Sequence, residues 1–352
     1  MKKLLFIVVL TSGMFWLALG QNDETELYSV SDTIKDFGLF KNEEILELSL
    51  RFDITTYRRK KPKDDYLDAV LTYHISATDS INRSLKLKSR GEFRNEYCDF
   101  PPIQLNFKKG DFERDDLQGL NKVKLVTHCQ TGNENGLFKE YLIYKLYNVL
   151  TDTSFRVRLV RINYINTFKD TKPVRSYAFF IEPLDFLAER INAVPVEATN
   201  LGQVNIVPEM MDRMAIFNYM VGNTDWSVPN QHNCKVLVQP GSENSNLGLV
   251  APYDFDYSGF VNASYAIPAE GLGIERVTQR IYQGICRDEE VFRDALKEFE
   301  TKKESFYNVI LDFPYMDERT KSQMIKFLDE FYNDFDSKNS IVRHLVIECK
   351  NL

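Results

Sequence analysis

The hydrophobic period changes once along this chain, and that change limits the folds open to it. From Ile45 to about Phe107 apolar side chains recur at every second position, most clearly at Leu46, Leu48, Leu50, Phe52 and Ile54. Period two puts those side chains on one face of an extended strand, so the stretch reads as half-buried sheet. Ala69–Ile75, Ser84–Ser89, Ile103–Phe107 and Val123–Thr127 continue it. Leu137–Val149 then takes the three-and-four spacing of one helix, about four turns long. Two more strands follow, Arg156–Tyr164 and Ser176–Ile181. Beyond Pro183 the pattern is helical over Asp185–Ile191, Glu209–Val221, Glu270–Cys286, Glu289–Phe306 and Glu318–Asp336. One short β element interrupts it, Lys235–Val238 paired with Leu249–Ala251. A strand-rich half holding one helix, then a helical half holding one hairpin, predicts a two-lobed α+β architecture. The N-lobe spans residues 45–182 and the C-lobe 183–352.

The first 44 residues stand apart from this pattern. Lys2 and Lys3 precede an uncharged run from Leu4 to Leu19, and small residues, Ala18 and Gly20, stand ahead of Gln21. That is the layout of a bacterial-style signal peptide over residues 1–20, and it predicts export to a periplasmic or extracellular location. Residues 21–44 read as a polar leader, and no later segment is apolar and long enough to span a bilayer. The 352 residues carry 51 acidic against 44 basic side chains; losing Lys2 and Lys3 takes the net charge from −7 to −9. A global acidic balance argues against a protein that coats nucleic acid, but leaves room for a small anion held by a local cation.

All five cysteines lie after residue 20, and their spacing matches no zinc motif. If Ile103–Phe107 and Val123–Thr127 form an antiparallel hairpin with paired positions summing to about 230, Cys98 and Cys129 fall at the same end of it. A disulfide between them is expected. Cys286–Cys349 follows by elimination, leaving Cys234 free; buried unpaired thiols are the alternative. The run Arg58-Arg59-Lys60-Lys61-Pro62-Lys63-Asp64-Asp65 reads as a solvated loop.

The densest chemistry lies between Val221 and Gly259. A helix ends, the polar run Gly222-Asn-Thr-Asp225-Trp-Ser-Val-Pro-Asn-Gln-His-Asn233 follows, and a strand begins. The partner strand ends in Tyr253-Asp254-Phe-Asp256. Pairing the two strands brings Asp225, Asn233 and Asp254 to one edge. A carboxylate beside a nucleophilic hydroxyl, with an amide and a second carboxylate holding a divalent ion, is what phosphoryl transfer requires.

Six segments, in order over residues 85–260, resemble the secreted CotH branch of the protein-kinase-like superfamily, the spore-coat kinase family. They are Leu87-Lys-Ser-Arg90-Gly91, Lys122-Val-Lys124-Leu, Glu140-Tyr-Leu-Ile-Tyr-Lys-Leu, Phe180-Ile-Glu182, Asn223-Thr-Asp225-Trp and Tyr253-Asp-Phe-Asp256. The resemblance implies a two-lobed kinase-like fold and assigns roles. Asp225 would accept or orient the acceptor hydroxyl's proton. Asn233 and Asp254 would hold Mg²⁺ (or Mn²⁺) against the phosphates of ATP. Lys124 would contact those phosphates with Glu140 pairing it, backbone groups around Glu182 would receive the adenine, and Arg90 would lie in the loop nearest the phosphates.

The chain departs from that pattern in two ways. It has no Gly-rich phosphate loop, and the family's spacing of five from Asp225 lands on Asn230 instead of Asn233. Strand entry favours Asn233, and Lys122 is the alternative to Lys124 because both lie on one strand face. The function expected is ATP-dependent phosphoryl transfer to a protein or small-molecule hydroxyl. The alternatives are a non-catalytic binding module in envelope assembly or ligand sensing, and nucleotidyl transfer.

Overall fold

The computed structural model describes residues 38–351 except 75, 77, 108–119, 131, 133, 199, 243–245 and 337–339. The expected signal peptide and residues 21–37 of the leader lie outside the described residues. The leader's last residues form a short helix, α1 (Gly38–Lys41), which buries Leu39 and Phe40 against the strands. Arg158 holds the segment by donating to the carbonyls of Leu39 at 3.1 Å and Asn42 at 2.6 Å.

Seven strands follow: β1 (Leu46–Phe52), β2 (Leu67–His74), β3 (Ser80–Ser89), β4 (Ile103–Phe107), β5 (Lys122–Thr127), β6 (Val157–Asn166) and β7 (Val174–Ile181). They close into a barrel in the order β1-β2-β3-β4-β5-β7-β6. All neighbours are antiparallel except at the closing seam. There β6 lies parallel to β1, with Leu46 opposite Val160 and Phe52 opposite Asn166. The period-two residues fill the interior: Leu46, Leu48, Leu50 and Phe52 meet Leu105, Leu125, Ile162 and Phe180 in one core. Outside, Glu47 binds Arg161 across the seam and Arg175 at 3.1 Å, which favours this register of β1 on β6.

The two-lobed kinase-like architecture is therefore overturned. The strands form a closed barrel with no free edge, in a mixed α/β chain. The helix between β5 and β6, α4 (Asn135–Leu150), is not confined to the strand-rich half. It is buried on nearly every side and packs on α7 (Glu289–Leu311) of the helical half. One core joins Val126, Leu159 and Phe179 on the barrel's outer face to α4 and to helices of the second half.

The basic run after β1 is not a loop at its start. Asp53 caps helix α2 (Ile54–Lys60) by accepting from the Thr56 N–H at 2.8 Å, and Arg58, Arg59 and Lys60 form its last turn. Lys61 ends it in the left-handed region, φ 45°. A five-residue helix, α3 (Phe93–Tyr97), follows β3. In the second half come α5 (Leu184–Arg190), α6 (Pro208–Met220), α7, α8 (Glu318–Asp336) and α9 (Ser340–Glu348). A three-stranded sheet, β8 (Val194–Pro195), β9 (Cys234–Val238) and β10 (Leu249–Pro252), has β9 in the centre.

The helix expected over Glu270–Cys286 does not form. Gly271 and Gly273 take φ of 84° and 72°, and side chains satisfy the backbone there in place of a helical ladder. Gln279 Oε1 accepts from the N–H groups of Glu275 and Arg276, and Glu348 accepts from that of Tyr282. Both expected disulfides are present, Cys98–Cys129 and Cys286–Cys349, and Cys234 is free and buried. Ile103 pairs with Leu125, which sets the β4–β5 register two positions from the expected sum and still brings Cys98 to Cys129. Two disulfides suit an exported protein. Among the described residues no helix is long and apolar enough to cross a membrane.

Candidate active site

Helix α6 ends at Met220, and the loop after it is laced to the loop after β10. The Gly259 N–H donates to the Gly222 carbonyl at 2.9 Å, and the Phe260 N–H to that of Val221 at 3.0 Å. Gly222 sits at φ 64°, where a Cβ would come within 3.2 Å of the Phe327 ring and 3.4 Å of the Gly259 backbone. Close approach of these loops therefore needs glycine there. Asn223 is buried and its Nδ2 donates to Asn218 Oδ1 at 2.8 Å, while its Oδ1 accepts from the Asp225 N–H at 3.2 Å. The helix end thus sets the backbone of Asp225.

Asn233 and Asp254 occupy the two ends of the β9–β10 hairpin. The Tyr253 N–H donates to the Asn233 carbonyl at 2.9 Å, one step beyond the Cys234–Pro252 pair. Both residues are left-handed, with φ 49° at Asn233 and 62° at Asp254, a conformation that Asn and Asp enter more readily than other side-chain-bearing residues. The Asp254 N–H donates to the Tyr144 hydroxyl of α4 at 2.9 Å, which ties the hairpin to the helix.

A cavity of about 420 Å³ opens over these ends, lined by Arg90, Asp225, His232, Asn233, Asp254 and Asp256 among others. Both oxygens of Asp225 are engaged. His232 Nε2 lies 2.9 Å from Oδ1, and Asn233 Nδ2 donates to Oδ2 at 2.8 Å and to the Asp225 carbonyl at 2.8 Å. Asn233 Oδ1 makes no hydrogen bond among the described residues. Asp254 has Arg90 at 4.0 Å. Asn230 does not line the cavity; its Oδ1 accepts from the His232 N–H at 3.2 Å.

The other expected site residues fall outside that lining. Lys124 of β5 sits 4.3 Å from the centre of the Tyr253 ring. Burial and then the nearby Arg90 charge push its ammonium down to about 7, against the opposing pull of Asp254. Lys122, the alternative, is exposed. Glu140 is fully buried on α4, but its partner is Arg94 of α3, not Lys124. Arg94 also binds Asp256 Oδ2 through Nε at 2.9 Å and donates to the Tyr265 hydroxyl at 2.8 Å. Tyr265 in turn donates to Asp256 Oδ2 at 2.8 Å. Burial pushes both Glu140 and Asp256 upward; for Arg94 burial is opposed by those two carboxylates, which hold the guanidinium above its ordinary value.

Glu182 lies in a different place. Its carboxylate is clamped by Arg190 at 2.8 and 2.9 Å and by the Arg156 N–H at 3.0 Å, and its own N–H donates to the Arg156 carbonyl at 2.9 Å. It lines a separate cavity of about 300 Å³ with Phe40 and Lys41. Ile181 just before it pairs with Lys124 on one side and Val157 on the other.

Arg94 and His232 are the residues that sequence reasoning missed. The pair Arg90 and Arg94, four apart after a strand, was the available signal for the first. His232 stands one residue ahead of Asn233 in a polar loop, a place that by itself marks a hydrogen-bonder and not a catalyst. Among the described residues no cluster of three or more His, Cys, Asp or Glu is arranged to hold a metal. The donor set still fits a phosphate-bound Mg²⁺. That ion takes oxygen ligands and uses only one or two carboxylates beside phosphate and water, and the unengaged Asn233 oxygen and the Asp254 carboxylate line one cavity. Asp256, committed to Arg94 and Tyr265, does not suit the role.

No protein-family model matches the chain, and no curated protein matches it significantly. Among solved structures it is similar to a proinflammatory kinase of Helicobacter pylori, CtkA, at 15% identity over 75% of this chain and 95% of that one. At a TM-score of 0.36 the two backbones share too little for the likeness to bear on fold or activity.

Proposed function

We propose that the protein is a phosphotransferase that moves the γ-phosphate of ATP to a hydroxyl. The observation that supports this reading is the lining of one 420 Å³ cavity by Arg90, Asp225, Asn233 and Asp254. Asp225 is the base: with one oxygen on His232 and the other on Asn233, its carboxylate is held in one orientation and keeps lone pairs to receive the acceptor's proton. Asn233 Oδ1 and Asp254 would hold Mg²⁺. Bound there, the ion neutralises phosphate charge during transfer. Arg90 and the nearby Lys124 supply the protein's own positive charge to the same phosphates. Glu140 acts through Arg94, fixing α3 and Asp256 beside Asp254. Glu182 has no part in this reading, since its N–H and carboxylate are already bound.

One observation favours a second reading, a nucleotide-binding module without turnover. Glu140 is bound to Arg94, so Lys124 lacks the carboxylate partner a kinase-type site would give it. Thermal unfolding with ATP and Mg²⁺ tests binding in either case. At free nucleotide one hundred times Kd a single site should stabilise by about 2.7 kcal/mol. Asp254→Ala should lose the metal-dependent part; no stabilisation at millimolar nucleotide in the unmodified protein would end both readings. Intact-mass analysis of a modified acceptor separates phosphoryl from nucleotidyl transfer.

A further inference from the structure

A second cavity, of about 610 Å³, opens where α2 meets the turn between β6 and β7, and it shares no lining residue with the cleft at Asp225. Its cations are Arg58, Arg59, Lys169 and Lys172; its one carboxylate is Asp99, 3.7 Å from Arg58. Among the described residues no acid pairs with Arg59, Lys169 or Lys172. Asp170, on the same turn, does not line the cavity. In a chain of net charge −7, four cations against one acid is a local reversal of sign.

A polar donor accompanies the charge. Thr55 Oγ1 accepts from Asn166 Nδ2 at 2.9 Å, which leaves its own proton free to donate.

We propose that this cavity binds a multivalent phosphate group. Guanidinium forks match phosphate oxygens, two lysines add charge, and the Thr55 hydroxyl supplies a neutral donor. The volume suits a small ligand or a lipid headgroup and excludes a duplex. Phe168, 63% exposed on the same turn, is an apolar neighbour that a headgroup's lipid would cover.

The test uses the purified protein in EDTA with inorganic tripolyphosphate, followed by thermal unfolding. Stabilisation is expected, weakened about tenfold or more in apparent affinity by Arg59→Glu/Lys169→Glu, both exposed positions where the fold should persist. It should persist in Arg90→Gln/Lys124→Met, which removes the two cations proposed to meet phosphates at the cleft. Co-sedimentation with phosphatidic acid vesicles, against phosphatidylcholine vesicles, distinguishes the sources. Pelleting lost in the charge-reversal variant identifies a lipid headgroup, and stabilisation without pelleting identifies a soluble phosphate. The proposal is overturned if neither probe binds, if citrate stabilises equally well, or if the charge-reversal variant binds unchanged.

Discussion

Replacing Arg94 by methionine removes one guanidinium and leaves two buried carboxylates facing each other. Glu140 is fully buried and Asp256 nearly so, and both bind Arg94, Asp256 at 2.9 Å. Breaking a buried pair by deleting one partner costs about 3–5 kcal/mol, because the remaining charge has lost its compensation. Here two carboxylates lose the same cation, so the upper part of that range applies near neutral pH. The pH dependence is specific. Burial already raises both carboxyls above their unfolded values near 4, so the native state holds protons that the unfolded chain releases. Such a group contributes stability below its unfolded value and loses it as pH rises through the folded one. Without Arg94 both folded values climb further. The variant's deficit should therefore be small near pH 4 and grow toward pH 8. Urea unfolding at several pH values, followed by circular dichroism with slopes compared, measures it. A second substitution, Glu140→Gln, should recover part of the loss in a double-mutant cycle. A deficit under about 1 kcal/mol at pH 8, or one that does not change with pH, would refute the pairing as described.

Three further outcomes rest on other parts of the molecule. The Cys98–Cys129 disulfide closes a separation of 31 residues, so Cys98→Ser/Cys129→Ser should lose about 3–4 kcal/mol in denaturant unfolding; an unchanged midpoint would mean that the reduced chain keeps the loop closed. Lys124, pushed down to about 7 by burial and by Arg90, binds fewer protons when folded than unfolded. Stability should then rise with pH between about 7 and 10, and Lys124→Met should flatten that slope. If Lys124 meets nucleotide phosphates, ATP binding at pH 8 should take up a proton. Calorimetry in two buffers of different ionisation enthalpy would detect the uptake, and its absence would remove Lys124 from the site.

Much of the local structure was legible because its signals are local. Alternation located β1, β4 and β5, and the polar interruption between α6 and β9 located the hairpin whose ends gather Asp225, Asn233 and Asp254. The Cys98–Cys129 pair followed from hairpin geometry. Barrel closure left no such trace. β1 and β6 pair over more than a hundred residues, and alternation says which face is apolar without saying which edges meet. The helix expected at Glu270–Cys286 failed because glycines at 271 and 273 adopt left-handed turns, and side chains from Gln279 and Glu348 satisfy the backbone. The partner of Glu140 was misjudged for a related reason. Arg94 reaches it from α3, a five-residue helix too short to show a period, tied to the end of β5 by Cys98–Cys129.

The measurement that bears most directly on the proposed activity is turnover of γ-labelled ATP with Mg²⁺, comparing the unmodified protein with Asp225→Asn. Loss of a positioned base typically costs about a hundredfold or more in rate. The account predicts label transfer to an acceptor or to water by the unmodified protein, a loss of at least that size in the variant, and nucleotide stabilisation retained in both. Equal turnover in the two proteins, or no nucleotide binding by either, would contradict it.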